Sequence, residues 1–325
     1  MKLLSLLGLL MAPLCAQEAG NAEAAPPELN PPAIPAAEDP DLLFEKGRSL
    51  GRVGDDDRKP FRRIIQRTLM LGEPRPEYGA ILTFDDQLIP AIQGDSSALQ
   101  VATDLKIHHA RAIFFANIPD NSEEVLHQIL KSPSPGQEAL KVLGKRKPAF
   151  MAAVRALLKI KDGDRYLCEV FNHTAFHQDM KLMKTGSDRY KVCLVGIRFI
   201  EECLDEAYQA ERPGFRRARY FRFPFLHSPK YAATRKDLNE VFTGLGLLAL
   251  GATQDSKDVL NFSPDLAFDS LAAAQKNQKY TPTLKAHGEA EEPIALFHTR
   301  SWSRIKPGIL KALAKKKPAT SLGAE

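Results

Sequence analysis

Ala80-Ile81-Leu82-Thr83-Phe84-Asp85-Asp86 is an apolar run of strand length that ends on two adjacent carboxylates. The same punctuation recurs along the chain. Ala112 to Ala116 runs into Asn117, Tyr166 to Phe171 into Asn172-His173, and Ile294 to Phe297 into His298. Tyr220 to Phe223 carries Arg222 and meets Pro224, while Leu247 to Leu250 leads towards Asp255. Helix-patterned stretches separate these runs, over Ser97 to His109, Ser122 to Lys131, Gly136 to Leu158, Tyr190 to Ala210, Thr234 to Leu245 and Gly308 to Ala314. Such alternation predicts an α/β fold with a parallel sheet, and a barrel gathers the C-terminal end of every strand on one rim. Polar residues far apart in sequence would meet there. No internal repeat is present. The segment 119–165 is long for one crossover, and its basic helical part, Leu140 to Lys161, is expected to be an insertion lining the site.

Composition bounds the class. The chain has 325 residues, 44% hydrophobic and 26% charged, enough apolar material for one large catalytic domain of barrel size. Met1-Lys2 followed by the run Leu3 to Leu14 has the form of a secretory signal peptide, 1–16, too short to span a bilayer. Lipidation of Cys15 is the rival, which would anchor the chain to a membrane. Residues 17–40, rich in Ala and Pro, read as a tether. The catalytic domain is then 41–318, with a tail over 319–325. The expected location is outside the cytoplasm, secreted or in the cell envelope. A net charge of +5, dispersed along the chain, argues against nucleic acid as a partner. No protein partner is expected. Cys168, Cys193 and Cys203 match no metal-knuckle spacing.

Two motifs carry chemistry. His173 and His177 stand four apart, so both imidazoles can reach one metal from a single turn or helix face. Asp85 and Asp86 would repel one another unless a cation or hydrogen-bond donors compensate them. Each alone has a plain structural explanation: paired histidines also occur in cores and on surfaces, and an Asp-Asp pair suits a helix cap or an Asx turn. Together, one Asp completes a two-histidine, one-carboxylate set with open positions for water and substrate. The other Asp is free to act as a base.

At this point the chain resembles the polysaccharide deacetylases of carbohydrate esterase family 4, the NodB-homology domain. Thr83-Phe84-Asp85-Asp86 is similar to the first family motif and His173-Thr174-x-x-His177 to the second. Phe221-Arg222-Phe223-Pro224-Phe225 is similar to the third, Asp255-Ser256-Lys257-Asp258 to the fourth and Leu296-Phe297-His298 to the fifth. The resemblance spans about 79–313. It implies a distorted (β/α) barrel of the polysaccharide deacetylase type and a divalent metal, Zn2+, held by Asp86, His173 and His177. It also implies Asp85 as general base, His298 as general acid, and Arg222 as the residue that positions Asp85 and favours its ionised form. Asp258 would orient His298 and keep it protonated, and the backbone N–H of Phe225 would help hold the oxyanion beside the substrate. Trp302, read as packing near the mouth, is a further candidate for substrate contact, as is His227. Three positions depart from the family pattern: Gln87 for a Gly, Val259 for a Trp and Thr299 for an acidic residue.

The implied activity is removal of N-acetyl groups from a polysaccharide substrate, peptidoglycan or a chitin-like amino-sugar polymer. An O-acetyl esterase of the xylan type would use the same groups. A glycan-binding protein that has lost turnover, and a scaffold with a structural metal, are the readings from other classes.

Overall fold

Seven strands form one all-parallel sheet in a computed structural model that describes residues 81–90, 96–118, 123–215, 217–252, 254–260, 263–276 and 294–315. The proposed signal peptide, the tether and the tail over 319–325 lie outside the described residues. In chain order the elements are β1 (Ile81–Gln87), α1 (Ala98–Lys106), β2 (Ala112–Asn117), α2 (Glu123–Leu130) and α3 (Pro135–Leu158). A small hairpin, β3 (Lys161–Asp162) and β4 (Arg165–Tyr166), precedes β5 (Cys168–Asn172) and α4 (Asp188–Glu211). Then come β6 (Tyr220–Phe221), α5 (Ala232–Leu245), β7 (Leu248–Ala249), β8 (Gln254–Asp255), α6 (Pro264–Lys276), β9 (Ile294–His298) and α7 (Trp302–Lys315).

The sheet order is β7-β6-β5-β2-β1-β9-β8. Its two edge strands, β7 and β8, are consecutive in the chain. Seven strands spaced as in a flat sheet would put those edges about 29 Å apart. From Ala249 to Gln254 the chain advances five residues and reaches at most about 18 Å. The sheet is therefore curled towards closure, as the expected distorted barrel requires.

Strand alternation sorts the core into an inside and an outside. Ile81, Ile113, Phe115, Phe171, Tyr220, Leu250 and Ile294 fill the interior, each contributed by a strand or by the segment just after one. The intervening positions, Leu82, Phe84, Phe114, Val170, Ala295 and Phe297, pack outward on the helices in the largest cluster. Three side chains correct the sequence reading. Phe150, Val154 and Leu158 of α3 belong to that same outward cluster, so the helical stretch within 119–165 covers the sheet rather than lining the site. Its amphipathic face was legible; the face it packs on was not.

Trp302 is the second correction. It is fully buried, its indole N–H donates to Asp104 at 2.7 Å, and it packs edge-on against Phe84 at 5.6 Å. A residue at the start of α7 on the outward side of the sheet cannot touch substrate. The run Tyr166 to Phe171 is also split, Tyr166 going to the hairpin and Cys168 opening β5. Cys168, Cys193 and Cys203 are buried and unpaired, with thiols pushed up to about 12 by burial, so they serve as apolar packing. No helix among the described residues is long and apolar enough to cross a membrane.

Candidate active site

The strand ends bring the dispersed motifs together. In register, Asp85 of β1 stands beside His298 of β9, and β2 separates β1 from β5. Simple alternation would send Asp86 to the face opposite Asp85. Asp86 instead adopts φ 84°, a conformation unfavourable for a residue with a side chain, and the turn lets both carboxylates serve one site. His177, the next ligand candidate, has φ 48°, and Thr174 between the histidines has φ 60°. The His173 to His177 segment is thus an irregular turn, not a helix face. Left-handed residues concentrate here because the geometry of the site, rather than local preference, sets the backbone.

Asp86, His173 and His177 offer ligand atoms that all lie within 4.8 Å of one another. Nε2 of His177 is 3.2 Å from Asp86 Oδ1. Nδ1 of His173 contacts the Arg222 carbonyl at 2.8 Å; a carbonyl only accepts, so Nδ1 carries the proton and Nε2 presents its lone pair. Burial holds both imidazoles down to about 4, so they are neutral at physiological pH, as ligation demands. Asp86 is pulled in opposite senses. Burial pushes its pKa up, but the nearby histidines His298, His177 and His173, with Arg300, outweigh it and hold the carboxyl below its ordinary value. Two neutral nitrogens and one carboxylate form a donor set suited to a divalent cation.

Asp85 and Arg222 form the adjoining pair. Arg222 is fully buried, and its Nη1 donates to Asp85 Oδ1 at 2.6 Å and to the Thr83 hydroxyl at 2.8 Å. Nη2 donates to the Gly251 carbonyl at 2.9 Å, Nε to the Leu250 carbonyl at 3.4 Å, and the guanidinium stacks on Phe115 at 4.0 Å. With Oδ1 occupied, Oδ2 is the carboxylate oxygen that faces the cage, 3.7 Å from His173 Nε2. The expected lowering of the Asp85 pKa by Arg222 is present but overcome: burial is the larger influence and holds the carboxyl above its ordinary value. That suits a base, which is most effective with a pKa nearer the working pH.

On the other side, His298 Nδ1 contacts Asp258 Oδ1 at 2.8 Å. Asp258 also accepts from the His298 backbone N–H at 3.0 Å, from Ser256 at 2.7 Å, and from the Ser301 hydroxyl. Burial pushes His298 down, yet the Asp258 hydrogen bond and the carboxylates of Asp86 and Asp85 prevail and raise it to about 9. The imidazolium therefore persists through neutral pH. Because the folded value lies above the ordinary 6.5, this interaction contributes full stability below about 6.5, and the contribution is lost as pH rises through about 9. Asp258→Asn should move the alkaline limb of the pH–rate profile down by at least about one unit. An unmoved limb in that variant would remove Asp258 from the acid's support.

Phe225 has φ 57° within the turn Pro224–Leu226. Its ring lies tilted against that of His177, with centroids 4.7 Å apart, while remaining 55% exposed, an apolar surface beside the candidate cage. His227 is tied to Asp179 at 3.0 Å.

Several residues support the site in ways that no motif announces. Asn172 accepts from the Thr174 N–H at 2.9 Å and donates to Glu201 of α4 at 3.0 Å, pinning the histidine turn to the helix. Glu201 is itself buried and paired with Arg217. Gly196 lets that helix approach: a Cβ there would stand 2.9 Å from the Cβ of Ala175. Thr299, one of the departures from the family pattern, donates to the carbonyl of Gln87 at 2.9 Å and to that of Asp85 at 3.3 Å, bracing the end of β1. Arg300, half exposed, brings Nε to 3.9 Å from Asp86 Oδ2. Glu201, Gly196 and Arg217 lie far in sequence from the motifs they support and belong to no spaced motif, so only the folded chain reveals them.

No protein-family model matches the chain, and no curated protein does. Solved structures do. A CE4 family pseudoenzyme from Bacillus anthracis is 15% identical, with 73% of this chain and 61% of that one covered and a TM-score of 0.40. This chain thus spans about three fifths of the length of that protein. A family 4 carbohydrate esterase from Streptomyces lividans, in complex with acetate, is 20% identical over 74% of this chain and 94% of that one, with a TM-score of 0.40. A Streptococcus mutans CE4 esterase is 13% identical over 72% and 80%, with a TM-score of 0.42. In the ordered motifs that its fold gathers at one rim, the chain resembles the polysaccharide deacetylases of carbohydrate esterase family 4.

Proposed function

We propose that this chain is an exported, metal-dependent hydrolase that removes N-acetyl groups from a polysaccharide, an amino-sugar polymer such as peptidoglycan or a chitin-like glycan. The observation that supports the reading is that Asp85 and His298 stand in register at the strand ends beside Asp86, His173 and His177, one paired with Arg222 and the other with Asp258. A divalent cation such as Zn2+, held by those three residues, would polarise the acyl carbonyl and make water acidic enough to attack at neutral pH.

The protein's own groups supply the proton work. Asp85 Oδ2, the oxygen Arg222 leaves free, accepts a proton from the attacking water. His298, protonated through neutral pH, donates to the departing amine. The exposed Phe225 ring offers a sugar an apolar face, and the Phe225 backbone N–H is the donor for the developing oxyanion. Asp258 and Arg222 act through the groups they hold.

Acetate release from chitin oligomers, peptidoglycan and acetylated xylan tests this reading and ranks N-acetyl against O-acetyl substrates. A chelator should abolish release and added zinc should restore it. Asp86→Ala should bind no zinc at concentrations that fill the wild type. Release that continues in chelator would end the metal assignment; stoichiometric zinc without release from any of the three polymers would favour a silent glycan binder.

A further inference from the structure

Asn117 ends β2 with a carboxamide that is 1% exposed and whose Oδ1 and Nδ2 both lack a hydrogen-bond partner. Buried amides are nearly always paired, because an unpaired one forfeits its hydration without return. Its position is defined on both sides. Gln87, next to Asp86, is its register partner on β1. On the other flank the His173 N–H donates to the Ala116 carbonyl at 3.0 Å and the Ile118 N–H donates to the Ala175 carbonyl at 3.2 Å. Phe115, two residues earlier, lies in the interior cluster, so alternation turns Asn117 to the interior as well, one layer above Phe115 and level with His173. Asn117 therefore ends the strand that lies between β1, which carries Asp85 and Asp86, and β5, which leads into His173, and it turns to the same interior as Phe115, the register partner of Asp85.

We propose that Asn117 is a positioning residue for the attacking water: its Oδ1 accepts one water proton while Asp85 Oδ2 takes the other, which fixes the direction of the oxygen lone pair. This rests on the hydrolase reading above. A buried donor-acceptor group without a protein partner, set at the strand end beside the cage, is free to bond a reacting water, which would offset the cost of burying it. The neighbouring Thr174 hydroxyl, 0% exposed and also without a partner, does not satisfy it.

Asn117→Leu, close to the same shape and apolar, separates this role from a structural one. In metal-free protein the melting temperature should hold or rise by a few degrees, since an unpaired amide is removed. With zinc loaded, kcat for acetate release should fall about 10- to 100-fold with KM within a factor of about three, and Asn117→Ser should recover part of kcat. Calorimetric binding of acetate, the product, to zinc-loaded protein should weaken at least about fivefold in the leucine variant. A lower metal-free melting temperature, or an unchanged kcat and acetate affinity, would overturn the proposal. Should the wild type bind zinc and acetate yet release none from polymers, the hydrolase reading falls and the water-positioning role falls with it; release by the wild type with an unchanged kcat in Asn117→Leu overturns the role of Asn117 alone.

Discussion

Asp85→Asn should slow acetate release by about 10²- to 10⁴-fold, the span associated with removing a general base, while zinc stoichiometry stays that of the wild type. The substitution preserves shape. Oδ1 can still accept from Arg222, whose guanidinium is fixed by Thr83, Leu250 and Gly251 independently of the carboxylate. What disappears is the basic oxygen on the cage side. Asp86, His173 and His177 remain, so metal content measured by mass spectrometry separates lost chemistry from a lost cage. A variant that keeps more than about a tenth of the rate would pass the role of base to another group.

Arg222→Met should produce the largest loss of stability, on the order of 3–5 kcal/mol, read as a fall of roughly 10 °C in melting temperature. Four acceptors depend on this fully buried guanidinium: the Asp85 carboxylate, the Thr83 hydroxyl and the carbonyls of Leu250 and Gly251. They come from β1 and from the segment joining the two edge strands, so the side chain ties the curled sheet across its interior. Methionine fills the volume and withdraws the donor from all four, although the Thr83 hydroxyl keeps its own bond to the Ala295 carbonyl at 2.9 Å. Asp85, deprived of its counter-charge while buried, would sit further above its ordinary pKa, and catalysis would fall with stability. Arg222→Lys should recover only part of either, because an ammonium cannot reproduce the planar fork or the stacking on Phe115. A shift under about 1 kcal/mol in denaturant unfolding would show that the pair contributes little.

The two effects are separable by design. The first removes a proton acceptor and spares the fold; the second removes a fold element that also holds the acceptor. Measured together with Asn117→Leu, they distinguish residues that stabilise the protein from one that the protein stabilises at a cost.

The sequence by itself determined the strands, because a run such as Ile81 to Phe84 carries no charge and a single hydroxyl, and must be covered on both faces. It brought His173 and His177 near one another, since two histidines four apart constrain their own separation locally. It also determined the place of polar chemistry, because Asp85, His173, Arg222 and His298 each close an apolar run, and a parallel sheet puts all such ends on one rim. Only the tertiary structure decided what depends on distance in the chain. Whether Trp302 faces solvent or the helix layer follows from the side of the sheet on which α7 docks, and its indole found Asp104 instead of substrate. Whether Asp85 lies above or below its ordinary pKa follows from how completely the barrel buries it, a quantity that outweighs the one charge its motif announces. Asp86 and His177 are residue types that tolerate left-handed turns, but which positions adopt them is set by the fold. Short-range pattern encodes what neighbouring residues must do; burial, docking face and strain are properties of surfaces that exist only once the sheet has curled.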